Sequence, residues 1–159
     1  IVVTPSNPHV PSSAPLYTKE FMELVQQRLN PGGIYGTLVY GWEQDMIIQT
    51  ARAVFPHVKV MPAISGAFVL IAANSPLTVD ERAFAAQIQQ SPAVQQAATA
   101  DGFGGDVLSL PRFIATTQDA SAYDSCLVPH VPVVTEGNAA LEFSVPLYHR
   151  YDRILYSNE

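Results

Sequence analysis

The chain has 159 residues, 48% of them hydrophobic and only 14% charged, a globular composition long enough for one real core and unlike a disordered chain. Its net charge is −6 and its eight Lys and Arg residues are scattered, without the basic stripe of a nucleic-acid surface, so no nucleic-acid partner is expected. Cys126 is the single cysteine, which excludes an internal disulfide framework and makes a reducing, cytoplasmic setting the expectation; no apolar run reaches membrane-spanning length.

The first residues, Ile1-Val2-Val3, form an apolar run that stops at Thr4-Pro5-Ser6-Asn7-Pro8. That pattern predicts a buried parallel strand ending in a polar loop, and in open α/β sheets ligands sit at that end. A chain that opens inside such a strand, without Met, is expected to be the downstream half of a larger sheet. Thr18 is the expected N-cap of a helix over 19–29, with Phe21, Val25 and Leu29 on one face. Asn30-Pro31-Gly32-Gly33 ends it, since Asn or Gly tolerates a left-handed stop and Pro cannot continue a helix. A β-branched and aromatic strand follows over 34–40 and breaks at Gly41-Trp42.

Residues 43–55 predict a second helix, with Glu43 and Asp45 at its positive end and Ile47, Ala51, Val54 and Phe55 on its inner side. Strands over 57–61 and 67–73 flank a turn at 62–66 and are expected to pair antiparallel at the sheet edge. Composition changes at Ser75-Pro76. Thr78-Val79-Asp80-Glu81 reads as a capping box for a helix through Gln90, and Ser91-Pro92 starts another that ends near Asp101-Gly102. Gly102-Phe103-Gly104-Gly105 lacks the order and the preceding strand of a phosphate cradle; Asp106 then caps a short apolar helix over 107–115. Residues 125–132 read as loop, 140–145 as an extended edge segment and 148–159 as a polar, aromatic tail. The expected organisation is an α/β domain over 1–76 with a helical appendage and edge segment over 77–159.

Three stretches resemble a known family. Thr4-Pro5-Ser6-Asn7-Pro8 with Leu16-Tyr17-Thr18-Lys19-Glu20-Phe21, then Leu29-Asn30-Pro31-Gly32-Gly33, resemble the core of the spermidine synthase family of polyamine aminopropyltransferases. Val134-Thr135-Glu136-Gly137-Asn138-Ala139-Ala140-Leu141-Glu142-Phe143-Ser144 resembles the closing segment of its bacterial, often membrane-fused branch. The resemblance implies the downstream half of a Rossmann-like, methyltransferase-type sheet, mostly parallel with a closing antiparallel hairpin. It also implies S-adenosylmethionine or decarboxylated S-adenosylmethionine as co-substrate, held by an upstream half of the same domain. A polyamine or other small amine is the implied acceptor, and a homo-oligomer is expected.

In that family an Asp-Ser/Thr-Ser/Thr-Asp-Pro loop carries the carboxylates that bind and deprotonate the amine; here Thr4 and Asn7 stand at those positions. A protonated amine needs negative charge and must lose a proton before it attacks, and neither Thr nor Asn accepts a proton near neutrality. The family's loop Tyr falls near Ile64, so it too is replaced. Thr4 and Asn7 are the candidate catalytic positions, with Ser6, His9, Tyr40 and Trp42 as candidate substrate-binding residues. His9 also fits a solvated loop residue, and Tyr40 and Trp42 fit either stacking on an adenine or amine or packing at the core edge. His57, His130 and His149 have no partner at ligand spacing, so no metal site is assigned. The functional expectation is a spermidine synthase-like transferase with altered or lost activity; a non-catalytic α/β module for dimerisation or scaffolding, and a small-molecule methyltransferase, are the alternatives.

Overall fold

In the computed structural model the described residues are 1–5, 8, 12–39, 43–63, 67–78, 80–93, 95–96, 116–123 and 131–142. They belong to two compact units, residues 1–77 with 119–159, and residues 78–118.

The first unit is built on a mixed sheet of β1 (Val2–Val3), β2 (Ile34–Val39), β3 (His57–Pro62), β4 (Phe68–Ala73) and β5 (Gln118–Asp119), ordered β1-β2-β4-β3-β5. β1 lies parallel to β2, with Val3 beside Thr37. β4 is antiparallel to both β2 and β3, so that Leu70 sits between Thr37 and Val60. The fold class is α/β, as expected, and the 57–61 and 67–73 segments pair antiparallel. The expectation of a mostly parallel sheet with this hairpin at its edge is corrected: β4 is interior, and most of the ladders are antiparallel. The sequences of the two hairpin strands give the reason. β4 reads Phe-Val-Leu-Ile-Ala-Ala and can pair along both edges inside the sheet, whereas β3 carries the polar His57 and the charged Lys59 and has only the two-residue β5 on its other side.

Thr18 caps α1 (Lys19–Arg28) as expected: its Oγ1 accepts from the Phe21 N–H at 3.3 Å and donates to the Pro15 carbonyl at 2.8 Å. The helix ends in extended backbone at Leu29, and the left-handed residue comes three positions later. Gly32, at φ +72°, sits in a turn that the Gly33 N–H closes on the Asn30 carbonyl at 2.8 Å. The second helix, α2 (Gln44–Val54), returns the chain to β3, and the Gln26 side chain ties α1 to its end by donating to the Val54 carbonyl at 2.7 Å. On one sheet face Tyr35, Thr37, Val39, Val58, Val60, Leu70 and Ala72 are buried, and the apolar ones join Met22 and Val25 of α1 and Ile47, Ile48 and Ala51 of α2 in a single core. The opposite face carries Leu38, Met61, Val69 and Ile71, all partly exposed, and Val2, 76% exposed.

Residues 131–142 also belong to this unit, with Val134 and Leu141 in its core. Residues 140–142 are helical, which corrects the expected extended segment. Asn138 Oδ1 accepts from the Ala140 N–H, and Ala139 turns left-handed at φ 45°, so the chain coils where an extended edge was read.

In the second unit α3 (Glu81–Gln90) begins one turn's worth of donors after Asp80, whose carboxylate accepts from the Arg82 and Ala83 N–H groups at 2.9 and 3.0 Å. Asp80, rather than Thr78, is therefore the cap. The Gln95 N–H donates to the Ser91 carbonyl, so a second helical stretch does follow Pro92. Its expected end near Asp101-Gly102, the glycine loop, the Asp106-capped helix, Cys126, His130, His149 and the tail lie outside the described residues.

Tyr35 gives a test of the core. Its ring stacks on Phe55 with centroids 5.8 Å apart, and burial pushes its hydroxyl up to about 12, with the Thr37 hydroxyl partly opposing and Tyr17 adding to the rise. Neither hydroxyl makes a hydrogen bond of acceptable geometry. Removing a buried polar atom that bonds nothing is neutral or stabilising, so Tyr35→Phe should leave stability unchanged or raise it by up to about 1 kcal/mol in urea denaturation. A clear loss would mean that the hydroxyl is bonded in solution.

Candidate functional site

Because β4 runs against β2 and β3, and β1 runs with β2, the strands β1, β2 and β3 all end at one edge of the sheet. This carboxyl edge is where α/β sheets bind ligands, because the loops there leave the backbone and helix N-termini facing outward. Thr4 lies on it directly after β1 and is exposed. The loop beyond it is fastened from below: Tyr17, fully buried in the 3-10 turn Ala14–Tyr17, donates its hydroxyl hydrogen to the Pro5 carbonyl at 3.3 Å. Pro8 is buried as well. Of the other candidate residues, Ser6, Asn7, His9, Tyr40 and Trp42 lie outside the described residues, as does Ile64.

The same edge holds a residue that the sequence reading treated only as a partner for the helix dipole. Glu43 directly precedes α2, is 2% exposed, and makes no side-chain capping bond. Burial raises its carboxyl to about 7, against a smaller opposing effect from its own backbone N–H. Asp45, in the first turn of the same helix, is also buried. An acidic residue at a helix start is usually solvated, so its type and position gave no sign of burial. The sequence signal that existed was its place, the first charged residue after a strand end in an α/β pattern. A carboxyl titrating near neutrality can both release and accept a proton in the physiological range, which Thr4 cannot do.

The other features of the unit do not compete for this role. A cavity of about 200 Å³ is lined by Arg52, Phe55, Pro56, Val58, Asp119 and Ser121, at the end of α2 and the start of β3, hence at the amino edge of the sheet. Asp119 there accepts from the Ser121 N–H and hydroxyl, contacts that hold its carboxyl below the usual range and cap the short turn that follows. Among the described residues no group of His, Cys, Asp and Glu could hold a metal ion, and no helix is long and apolar enough to cross a membrane. Comparison with known proteins gives no family model that matches this sequence and no curated relative.

The burial of Glu43 has a measurable consequence. The folded chain keeps its proton up to about pH 7, whereas an exposed Glu releases it near 4.5. Between those values the folded state binds the proton more tightly than the unfolded state, so this residue's contribution falls as pH rises and levels off above 7. After allowance for solvent screening, the loss is on the order of 2 kcal/mol. Glu43→Gln should therefore gain on the parent protein by that amount between pH 4.5 and pH 8 in denaturant titrations. Parallel stability curves for the two proteins would place the carboxyl in the ordinary range.

Proposed function

We propose that this chain is part of a spermidine synthase-like transferase domain with a Rossmann-like, methyltransferase-type sheet. Its carboxyl edge would receive an amine acceptor, with S-adenosylmethionine or decarboxylated S-adenosylmethionine as the donor. The observation that carries this reading is the placement of exposed Thr4 directly after β1 and of buried Glu43 after β2, strands that share one direction with β3. Two further observations support it. The sheet contains an antiparallel β3–β4 hairpin, although β4 lies inside the sheet and not at its edge. The first and last resembling stretches also touch: the Lys19 N–H donates to the Val134 carbonyl at 2.8 Å, and the Glu136 N–H to the Glu20 carboxylate at 3.1 Å.

The chemistry of the edge suits an amine better than the loop residues alone would. Thr4 offers a hydroxyl and Asn7 an amide, neither of which can carry away a proton. Glu43 is the carboxyl on this edge whose range matches the task of pairing with an ammonium group or accepting its proton. Cavities of about 200 Å³ at the amino edge and about 60 Å³ beneath residues 134–142 are each smaller than the roughly 300–1,000 Å³ of cofactor sites, and neither is assigned to the donor. The donor would be held by an upstream half of the same domain, which would also cover the apolar face of Val2, Leu38, Met61, Val69 and Ile71. That partly exposed apolar face equally favours a second reading, a non-catalytic module that dimerises or scaffolds.

The test is aminopropyl transfer to putrescine by the longest natural form of the protein, before and after Thr4→Asp with Asn7→Asp. Restoring the two carboxylates should bring activity into view or raise it at least tenfold. Labelled methyl transfer to small amines without aminopropyl transfer would instead identify a methyltransferase. If neither transfer occurs and the protein sediments as a stable dimer, the scaffold reading replaces the enzymatic one.

A further inference from the structure

We infer that residues 131–142 form a strap that sets the stability of the end of β1, at Thr4 and Pro5, from a distance, acting through the two backbone bonds of Val134. This rests on the hydrogen bonding of the first unit and not on the transferase reading. Val134 faces two ways. Its N–H donates to Thr50 Oγ1 at 2.9 Å, inside the core, and that hydroxyl passes its own hydrogen to the Met46 carbonyl at 2.7 Å. Its carbonyl accepts from the N–H of Lys19, the first residue of α1, at 2.8 Å. One residue thus spans from the interior of α2 to the start of α1, and satisfies an N–H that the first turn of a helix leaves without an intrahelical partner.

The strap is ordered by itself. Asn138 donates to the Val133 carbonyl at 2.7 Å, and its Oδ1 accepts from the N–H groups of Thr135 and Ala140 at 3.0 and 3.1 Å. This closed turn holds Val134 and Leu141 in position, both almost fully buried in the core. The Glu136 N–H adds a second tie to α1 at Glu20. Beyond Lys19 the connection runs on through the chain. Thr18 is buried, and its neighbour Tyr17 holds the Pro5 carbonyl next to Thr4.

Among the described residues, the strap is held by Val134 and Leu141 in the core, with Val131 and Ala140 packed beside them, and by the bonds of Val134 and Glu136 to the helices, which is less than the six-residue ladders of β4 with β2 and β3. Such attachments open with free energies well below that of global unfolding. The strap, the start of α1 and the end of β1 at Thr4 and Pro5 therefore form one cooperative unit that opens while the central ladder stays closed. Removing the bond to Thr50 should loosen all three parts together.

Hydrogen exchange by mass spectrometry on the whole chain tests this, with Thr50→Val, which keeps the side-chain shape and deletes the hydroxyl, and with Asn138→Ala in the exposed turn. Both variants should exchange at least tenfold faster in peptides covering 131–142, 16–22 and 1–5, with 57–62 and 68–73 unchanged. Thr50→Ser, which restores the hydroxyl, should return the parent rates. Faster exchange confined to 131–142, the same acceleration in every peptide, or no change would each overturn the inference.

Discussion

The rest of the first unit depends on β4 lying between β2 and β3. Leu70, fully buried at the middle of that strand, pairs across to Thr37 on one side and Val60 on the other. Two antiparallel ladders on one strand oblige its neighbours to run the same way, and β1 follows β2 in parallel. The register also sorts the faces. Tyr35, Thr37 and Val39 meet Ala72, Leu70 and Phe68 on the helix-covered side, so a slip of one residue would drive the polar and charged positions of β3 into the core. Strand direction then brings the ends of β1, β2 and β3 to one edge.

At that edge the chain accepts an electrostatic cost. A carboxyl that is 2% exposed, at a helix start where a capping role was open to it and not taken, loses solvation and titrates near 7. Structural acids are rarely held this way, since the same position occupied by Gln would carry no ionisation cost. Shifted carboxyls collect at sites where charge must change during binding or reaction. Thr4, exposed on the adjoining strand, adds a hydroxyl to this edge but no charge.

Much of the first unit was legible because its signals are local. The Thr18 cap, the apolar spacing of Val25, the Asn-Pro-Gly-Gly stop and the short link between β3 and β4 each act within a few residues, and helix ends and hairpin pairing follow from them. What escaped the sequence was set by distant partners. The interior place of β4 depends on β2, some thirty residues earlier in the chain. The burial of Glu43 depends on what covers a strand end, which no periodicity reports. Asp80 competes with Thr78 for the same cap, and the geometry of the first turn, two N–H groups within 3.0 Å of one carboxylate, decides it. The docking of Val134 on Thr50 joins residues 84 apart, so nothing near either one announces it.

Among the described residues, α1 and α2 pack on one face of the sheet. On the other, Leu38, Met61, Val69 and Ile71 form a continuous apolar strip across three strands, and Val2 extends it to β1, which pairs with β2 alone. A sheet whose ladders are mostly antiparallel can leave one face partly open to solvent, and the intermediate exposure of this strip agrees with that. Among the described residues β1 is paired along one edge only and ends at Thr4, so the exposure of Val2 and that of Thr4 have one physical origin, an outer strand.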